Sequence, residues 1–136
     1  MIFTYQHKGK PLYMRKMPAF ATSNFESYKP FPADNGKGYG AVFYLNDQYK
    51  KRLFFETSQH QGQYLVSIVN GTVGEAQMID QPIKDGKLII WDGITEKDLI
   101  LIDSKIPRKD DTDEEAAKRA KEAKKAAKKI AQFEFE

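Results

Sequence analysis

The sequence contains no cysteine, and this absence removes several kinds of chemistry at once. Without thiols the chain can form no disulfide bond, can use no thiol nucleophile, and can build no zinc site that relies on sulfur ligands. Cysteine-free chains occur in reducing and in oxidising compartments alike, so the compartment stays open on this ground.

Long apolar segments are missing as well. The chain has no run of about 18 apolar residues, which is roughly the length that a helix needs to cross a bilayer. The first five residues, Met1 to Tyr5, lack the basic segment and the long apolar stretch of a signal peptide. The same start would remain after removal of a leader, so these residues neither indicate nor exclude an extracytoplasmic location.

The sequence does have enough apolar material for one packed domain. Its 136 residues are 40% hydrophobic and 12% aromatic, as is typical of a single globular domain. The net charge of +3 is divided unevenly, because residues 110–136 carry seven basic and eight acidic residues and leave 15 basic and 11 acidic residues, or +4, for residues 1–109. We expect a globular domain in residues 1–107 and a charged linker with a helical tail in residues 108–136.

Strand signals predict an α+β fold with a small, mostly antiparallel sheet and two packed helices. The clearest signal is a hairpin of Tyr64–Val69 and Thr72–Ala76, because the Asn-Gly pair between them accepts the positive φ angles of a tight turn. Further strands are predicted at Leu12–Met17, Gly40–Leu45 and Lys87–Trp91. The unbroken apolar run of the last one predicts burial on both of its faces.

Three helices are predicted. The first spans Asp47 to Gln59 after a capping Asn46. The second follows a capping box of Thr95 and Asp98 and ends near Ser104, although the apolar run after Asp98 leaves a strand open. The third, Asp113 to about Gln132, follows a second capping box; the last residues, Gln132–Glu136, alternate like a short strand or fray.

Residues 18–40 are rich in Pro, Gly, Ser and Asn and are predicted to form a long ordered loop. Aromatic residues of this segment are candidates for part of an apolar binding surface, because recognition often lies on loops that a rigid sheet supports. They are Phe20, Phe25, Tyr28, Phe31 and Tyr39. The same rings could equally cover the core, and the sequence leaves both interpretations open.

Candidates for catalysis and metal binding are few. The two histidines, His7 and His60, lie in polar segments and share no ligand spacing, which favours ordinary surface positions. The carboxylate pairs near residues 110 and 114 lie in a solvated stretch, where nothing would raise the pKa of a general acid. We therefore expect a protein that is not an enzyme and that holds no metal and no cofactor.

A rival function class comes from the basic residues of the tail helix, which could bind nucleic acid or another anionic surface. They are Lys118, Arg119, Lys121, Lys124, Lys125, Lys128 and Lys129. Nucleic acid is the less favoured partner, because no aromatic residue lies among these lysines to stack on a base and acids lie on both sides of them. A solvated helix stabilised by opposite charges is the simpler interpretation.

The order of features from Gly9 to about Asp98 resembles the head part of the first periplasmic domain of SecD, a protein-export subunit. The segments that carry the resemblance are Gly9–Tyr13, Gly40–Leu45 with Asn46 and Asp47, Phe55–Thr57, Gly62–Gly71, Ala76–Ile83 and Gly86–Gly93. In that family a strand leads into a helix, a hairpin displays a short strand and turn, and a further strand ends in glycine before a second helix.

The resemblance implies an extracytoplasmic α+β domain that contacts unfolded polypeptide and brings no catalytic residues. This chain lacks the transmembrane helices and the proton-handling residues of the full subunit, so the energy-coupled part of export does not carry over. The favoured hypothesis is a protein-interaction module with protein or unfolded polypeptide as its partner.

Overall fold

A computed structural model describes residues 2–7, 10–15 and 19–135 of the chain, with side chains for 19–74 and 76–130. In chain order the elements are β1 (Ile2–His7), β2 (Lys10–Arg15), β3 (Phe25–Pro32), β4 (Tyr39–Leu45), α1 (Asp47–Gln59), β5 (Tyr64–Val69), β6 (Thr72–Met78), β7 (Lys87–Ile94), α2 (Glu96–Asp103) and α3 (Asp113–Phe135). A single 3-10 turn, Thr22–Asn24, precedes β3. The expected α+β class is confirmed.

The strands of the described residues form three antiparallel groups. The central sheet has the order β3–β4–β7, and two separate hairpins pair β1 with β2 and β5 with β6. The strand predicted at Leu12–Met17 is shifted to Lys10–Arg15 where it is described, and Met17 lies outside the described residues. Strand β1 was not predicted from the sequence.

The prediction of a loop over residues 18–40 is wrong, because β3 occupies its middle. Pro30 and Pro32 suggested a loop, but an edge strand tolerates proline on its open side. The N–H of Tyr28 donates to the carbonyl of Pro107, so the even-numbered residues of β3 turn their backbone groups to the outer edge. Pro30 and Pro32 therefore lack a backbone N–H only on the side of β3 that faces away from β4, so their presence removes no hydrogen bond between these two strands.

The helix α1 and the β5–β6 hairpin follow the sequence closely. Helix α1 has the predicted bounds, although the side chain of Asn46 makes no capping hydrogen bond. At the hairpin turn Asn70 and Gly71 have φ angles of 50° and 82°, as the tight turn requires. The hydroxyl of Thr57 accepts a hydrogen bond of 2.9 Å from the backbone N–H of Ile83, which fixes the segment before β7 against the end of α1.

Helix α2 covers one face of the central sheet and forms the core with it. The buried cluster consists of Tyr28, Ala41, Phe43, Ile90, Ile94, Leu99, Ile102 and Ile106. The capping box predicted for α2 is present, since Thr95 Oγ1 accepts from the N–H of Asp98 at 3.0 Å and Asp98 Oδ2 accepts from the N–H of Thr95 at 3.1 Å. The run after Asp98 is thus a helix and not a strand.

Helix α3 packs against α2. The side of α3 that faces inward carries alanines, with Ala123 buried and Ala116, Ala120 and Ala127 half-buried. The helix continues through residues 132–135, which the sequence had left open between a strand and a frayed end. Among the described residues, no helix combines the length and the apolarity required to cross a membrane.

Candidate functional site

The structure separates the five aromatic residues that the sequence grouped as a binding surface. Tyr28 is fully buried, and Phe25 and Tyr39 pack against the buried cluster from positions of partial burial. Phe20 lies under the guanidinium of Arg52, 5.6 Å from the ring centre. Of the five, Phe31 is the one that the sheet register places on the face away from α2.

Tyr28 belongs to a buried polar network. Its hydroxyl donates a hydrogen bond of 2.5 Å to Asp103 Oδ1, and Arg108 donates to both carboxylate oxygens of Asp103 at 3.0 Å. Burial, together with the hydrogen bond to Asp103, raises the pKa of Tyr28 well above its usual range, so the hydroxyl keeps its proton. The hydrogen bonds to Asp103 raise the pKa of Arg108, although burial opposes them.

This network joins three parts of the chain. It fixes α2, which carries Asp103, to the edge strand β3 and to the segment after Pro107. The backbone N–H of Lys109 also donates to the carbonyl of Tyr28 at 2.8 Å. A fully buried tyrosine with these partners supports the fold and is not open to a ligand.

The other face of the central sheet is a different kind of surface, because neither α2 nor α3 covers it. Strand register pairs Phe31 with Gly40, Val42 with Ile89, and Tyr44 with Lys87, which puts these side chains on one face. We call this surface the aromatic face and define it as Phe31, Val42, Tyr44, Ile89 and Trp91. All of these residues are half-buried except Trp91, which is 55% exposed.

Phe31 and Trp91 form the apolar end of the aromatic face. Their ring centres are 6.1 Å apart with an angle of 63° between the planes, an edge-to-face contact across the sheet. Gly40 lies between their strands, and a Cβ at this position would come within 2.6 Å of the Phe31 ring and 2.5 Å of the carbonyl oxygen of Ile90. Glycine at position 40 thus lets the Phe31 ring pack directly against the backbone of β4.

Tyr44 forms the basic end of the same face. The ammonium groups of Lys109 and Lys87 lie 4.7 Å and 5.7 Å from the centre of its ring, a cation–π arrangement from two sides. A third cation, Lys29, pairs with Asp110 at 3.1 Å on an exposed part of the edge strand. The aromatic face therefore combines apolar rings with positive charge.

Sequence reasoning missed Tyr44 and Trp91. The run Lys87–Trp91 predicted burial on both faces, and this expectation is wrong, since Ile90 is buried but Trp91 is exposed. The sequence does contain a signal for the position of Trp91. Side chains alternate between the two faces of a strand, so Lys87, Ile89 and Trp91 share one face, and the charged Lys87 indicates that this face is exposed. The neighbouring strand that completes the surface, β3, had been interpreted as a loop.

Further exposed apolar side chains lie on other elements. Phe54 and Phe55 of α1 are 43% and 60% exposed, and Ile68 and Met78 of the β5–β6 hairpin are 52% and 55% exposed. Each is single or one of a pair, and scattered apolar residues of this kind are usual on protein surfaces.

Two shallow clefts occur in the described part of the chain. One, of about 410 Å³, lies between the β5–β6 hairpin and the end of β7. Burial alone would raise the pKa of Asp98 at its wall, but hydrogen bonds from Asn70 and Thr95 outweigh it and lower this pKa. Through its hydrogen bond from Asn70, Asp98 holds the turn of the β5–β6 hairpin to the start of α2.

The other cleft, of about 460 Å³, lies along residues 77–85.

The predicted catalytic candidates are not assembled into a centre within the described side chains. His60 lies 3.4 Å from Glu56, one helical turn earlier on α1, and the side chain of His7 is outside the described part. Asp110 and Asp111 pair with Lys29 and Arg119. Among the described residues, no group of three His, Asp or Glu side chains could hold a metal ion.

Six of the seven basic residues of α3 point into solvent. Lys118, Lys121, Lys124, Lys125, Lys128 and Lys129 are exposed. Arg119 differs, because it is half-buried and donates two hydrogen bonds to Asp111, at 2.7 Å and 3.2 Å. The structure thus removes Arg119 from the candidate anion-binding set and leaves the six lysines.

No protein-family model matches the chain, and no curated protein matches its sequence. The fold is similar to part of two solved structures, one of SecDF described as a membrane component that enhances protein export and one of SecDF in a super-membrane-facing form. Each is 20% identical over 55% of this chain with a TM-score of 0.49.

The chain corresponds to only 34% of the first SecDF chain and 10% of the second. The resemblance to a segment of SecD that the sequence suggested is therefore found in the fold as well, over about half of the chain. At this level the likeness concerns the arrangement of helices and strands alone.

Proposed function

We propose that the chain is a non-enzymatic module that binds extended polypeptide segments on the aromatic face. The observation that carries this proposal is the contact of Phe31 with Trp91, a ring that is 55% exposed, on the same face as Tyr44 and its two neighbouring lysine ammonium groups. Trp, Tyr and Phe are among the residue types that are enriched in the cores of protein recognition sites.

The shape of this surface favours a polypeptide over a small molecule. Small ligands bind in concave pockets that bury most of their surface, whereas the aromatic face is one side of a three-stranded sheet. An extended segment can lie across such a face and place alternate side chains on it. Apolar side chains would pack on Phe31 and Trp91, and acidic ones would lie near Lys87 and Lys109.

The sequence resemblance to the SecD head supports an extracytoplasmic location and a partner among exported chains. Both remain part of the proposal.

A fluorescence titration tests the proposal, because Trp91 is the single tryptophan and lies in the aromatic face. The ligand is a synthetic unfolded peptide that contains Leu, Phe and Glu but no tryptophan. We expect a change of Trp91 emission that saturates, and binding about tenfold weaker or worse for Phe31→Ser.

The matched control is Phe55→Ser, which removes a ring of the same type that is 60% exposed on α1. It should bind the peptide as the wild type does. A peptide in which Lys replaces Glu should bind more weakly than the original. Unchanged emission with both peptides, or equal losses in the two variants, would rule out the aromatic face as the binding surface.

A further inference from the structure

The outward side of α3 carries lysine and little else over three helical turns. We call it the lysine face and define it by Lys118, Lys121, Lys124, Lys125, Lys128 and Lys129, all exposed. At 3.6 residues per turn these positions fall within an arc of about 140° and extend along about 16 Å of the helix. The face is therefore a compact array of six cations.

Of the acidic residues near this array, Asp113 and Glu114 are exposed at the start of α3, before the first lysine of the face. Asp110 and Asp111 are engaged by Lys29 and Arg119, and Glu115 accepts a hydrogen bond from Thr112. Glu122, at the margin of the face, is the one acid between Lys118 and Lys129. Among the described side chains, none of the six lysines forms an ion pair.

The fold holds the lysine face in a fixed direction. Ala123, on the opposite side of the helix, is buried where α3 packs against α2, and the two hydrogen bonds from Arg119 to Asp111 fix the first turns. The hydrogen bonds from Arg119 lower the pKa of Asp111, so this pair stays charged at neutral pH. The backbone that carries the six cations is thus already ordered before any partner binds.

We infer that the lysine face binds the phosphate headgroups of an anionic lipid surface. The face consists of lysines at every one of its positions, and lysine acts on phosphate as a point charge. Of the side chains that read base edges in duplex DNA, the face has lysine but no Arg, Asn or Gln, and it has none of the aromatic rings on which the bases of a single strand stack. A broad array of point charges matches a plane of headgroup phosphates. The opposite, apolar side of α3 packs against α2, so we expect α3 to bind at the membrane surface without inserting into the lipid.

Binding of this kind should depend strongly on salt and on the number of lysines. Each lysine near an anionic membrane strengthens binding on the order of fivefold. The effect falls off within a Debye length and weakens as salt rises. The aromatic face takes no part in this interaction, so its failure as a peptide site would leave the lipid inference intact.

Co-sedimentation of the full chain with vesicles tests the inference. Vesicles of phosphatidylglycerol and phosphatidylcholine are compared with pure phosphatidylcholine, from about 50 mM to about 200 mM salt. The variant Lys121→Gln, Lys125→Gln, Lys128→Gln should lose on the order of a hundredfold in affinity for the anionic vesicles. The matched control is Lys37→Gln, Lys51→Gln, Lys84→Gln, which has the same net charge but changes exposed lysines elsewhere, and it should bind nearly as the wild type does.

Circular dichroism establishes that each variant is folded. If the first one is not, Lys118→Gln with Lys124→Gln replaces it and should weaken binding on the order of 25-fold. Equal losses in the control variant would overturn the assignment to α3. Absence of binding at low salt, or tighter binding to a DNA duplex or single strand than to the anionic vesicles at the same salt, would overturn the inference of a lipid partner.

Discussion

Tyr28 shows how one side chain can connect distant parts of this chain. Its ring stacks on Phe43 of β4 with centres 5.7 Å apart, and its hydroxyl reaches Asp103 of α2, 75 residues later. Arg108 lies over the same ring at 5.9 Å while it binds Asp103. The network is buried, so each missing hydrogen bond would leave a polar atom without water to replace it.

The substitution Tyr28→Phe should lower the free energy of unfolding by about 1–3 kcal/mol, because the carboxylate of Asp103 loses a donor while it stays buried. Urea denaturation followed by far-ultraviolet circular dichroism measures the change. Tyr39→Phe is the control, since its hydroxyl makes only an exposed contact of 3.5 Å with Glu96 and its loss should cost less than about 0.5 kcal/mol. Equal effects of the two changes would contradict the role assigned to the network.

The ion pair of Asp111 with Arg119 predicts how the stability of the fold depends on pH. Hydrogen bonds from Arg119 lower the pKa of this carboxyl, whose side chain is only 9% exposed, below the value of about 3.9 for a free aspartate. A lowered pKa in the folded state means that the charged carboxylate stabilises the fold above this value and that the contribution disappears as the pH falls through the folded-state pKa.

Asp111→Asn should therefore be less stable than the wild type at about pH 7, and the difference should shrink as the pH falls through the folded-state pKa of Asp111. Urea unfolding at a series of pH values gives the comparison. Asp113→Asn, which removes an exposed carboxyl two residues away, should show a smaller difference at neutral pH. A difference between wild type and Asp111→Asn that does not change with pH would contradict the argument.

Strands and helices differ in how far local sequence determines them here. The capping box of Thr95 and Asp98 and the Asn70-Gly71 turn could be predicted, because each depends on residues that are close in the chain. Strand β3 could not, since its prolines are tolerated only at an edge, and that edge position depends on the register with β4. The aromatic face shared this difficulty, because Phe31 and Trp91 are 60 residues apart and meet only through β4.

The hairpin turn offers a direct test of local backbone control. Gly71 has a φ angle of 82° and open space around it, so Gly71→Ala adds no clash but places an alanine in a left-handed conformation. We expect a loss of about 1–2 kcal/mol in the free energy of unfolding. Gly74→Ala in the same hairpin has an ordinary φ and a nearest contact of 3.6 Å, and it should cost clearly less; the reverse order would contradict the turn geometry.

At the scale of the whole molecule, the two faces of the central sheet differ, because α2 packs on one of them and the aromatic face is the other. Helix α2 completes the core, α3 packs on α2, and Trp91 of the aromatic face is 55% exposed. The sequence predicted the sheet with packed helices, but it placed the binding surface on aromatic residues that the structure largely buries. Composition indicates how many rings a chain has, whereas only register decides which of them remain outside.

The most direct test of the central claim is the amide NMR spectrum of the chain titrated with the unfolded, acidic and apolar peptide. Binding on the aromatic face predicts shifts that concentrate in β3, β4 and β7 around Phe31, Tyr44 and Trp91, with α3 unchanged. Shifts confined to α1 or to the cleft beside the β5–β6 hairpin, or no shifts at all, would contradict the claim.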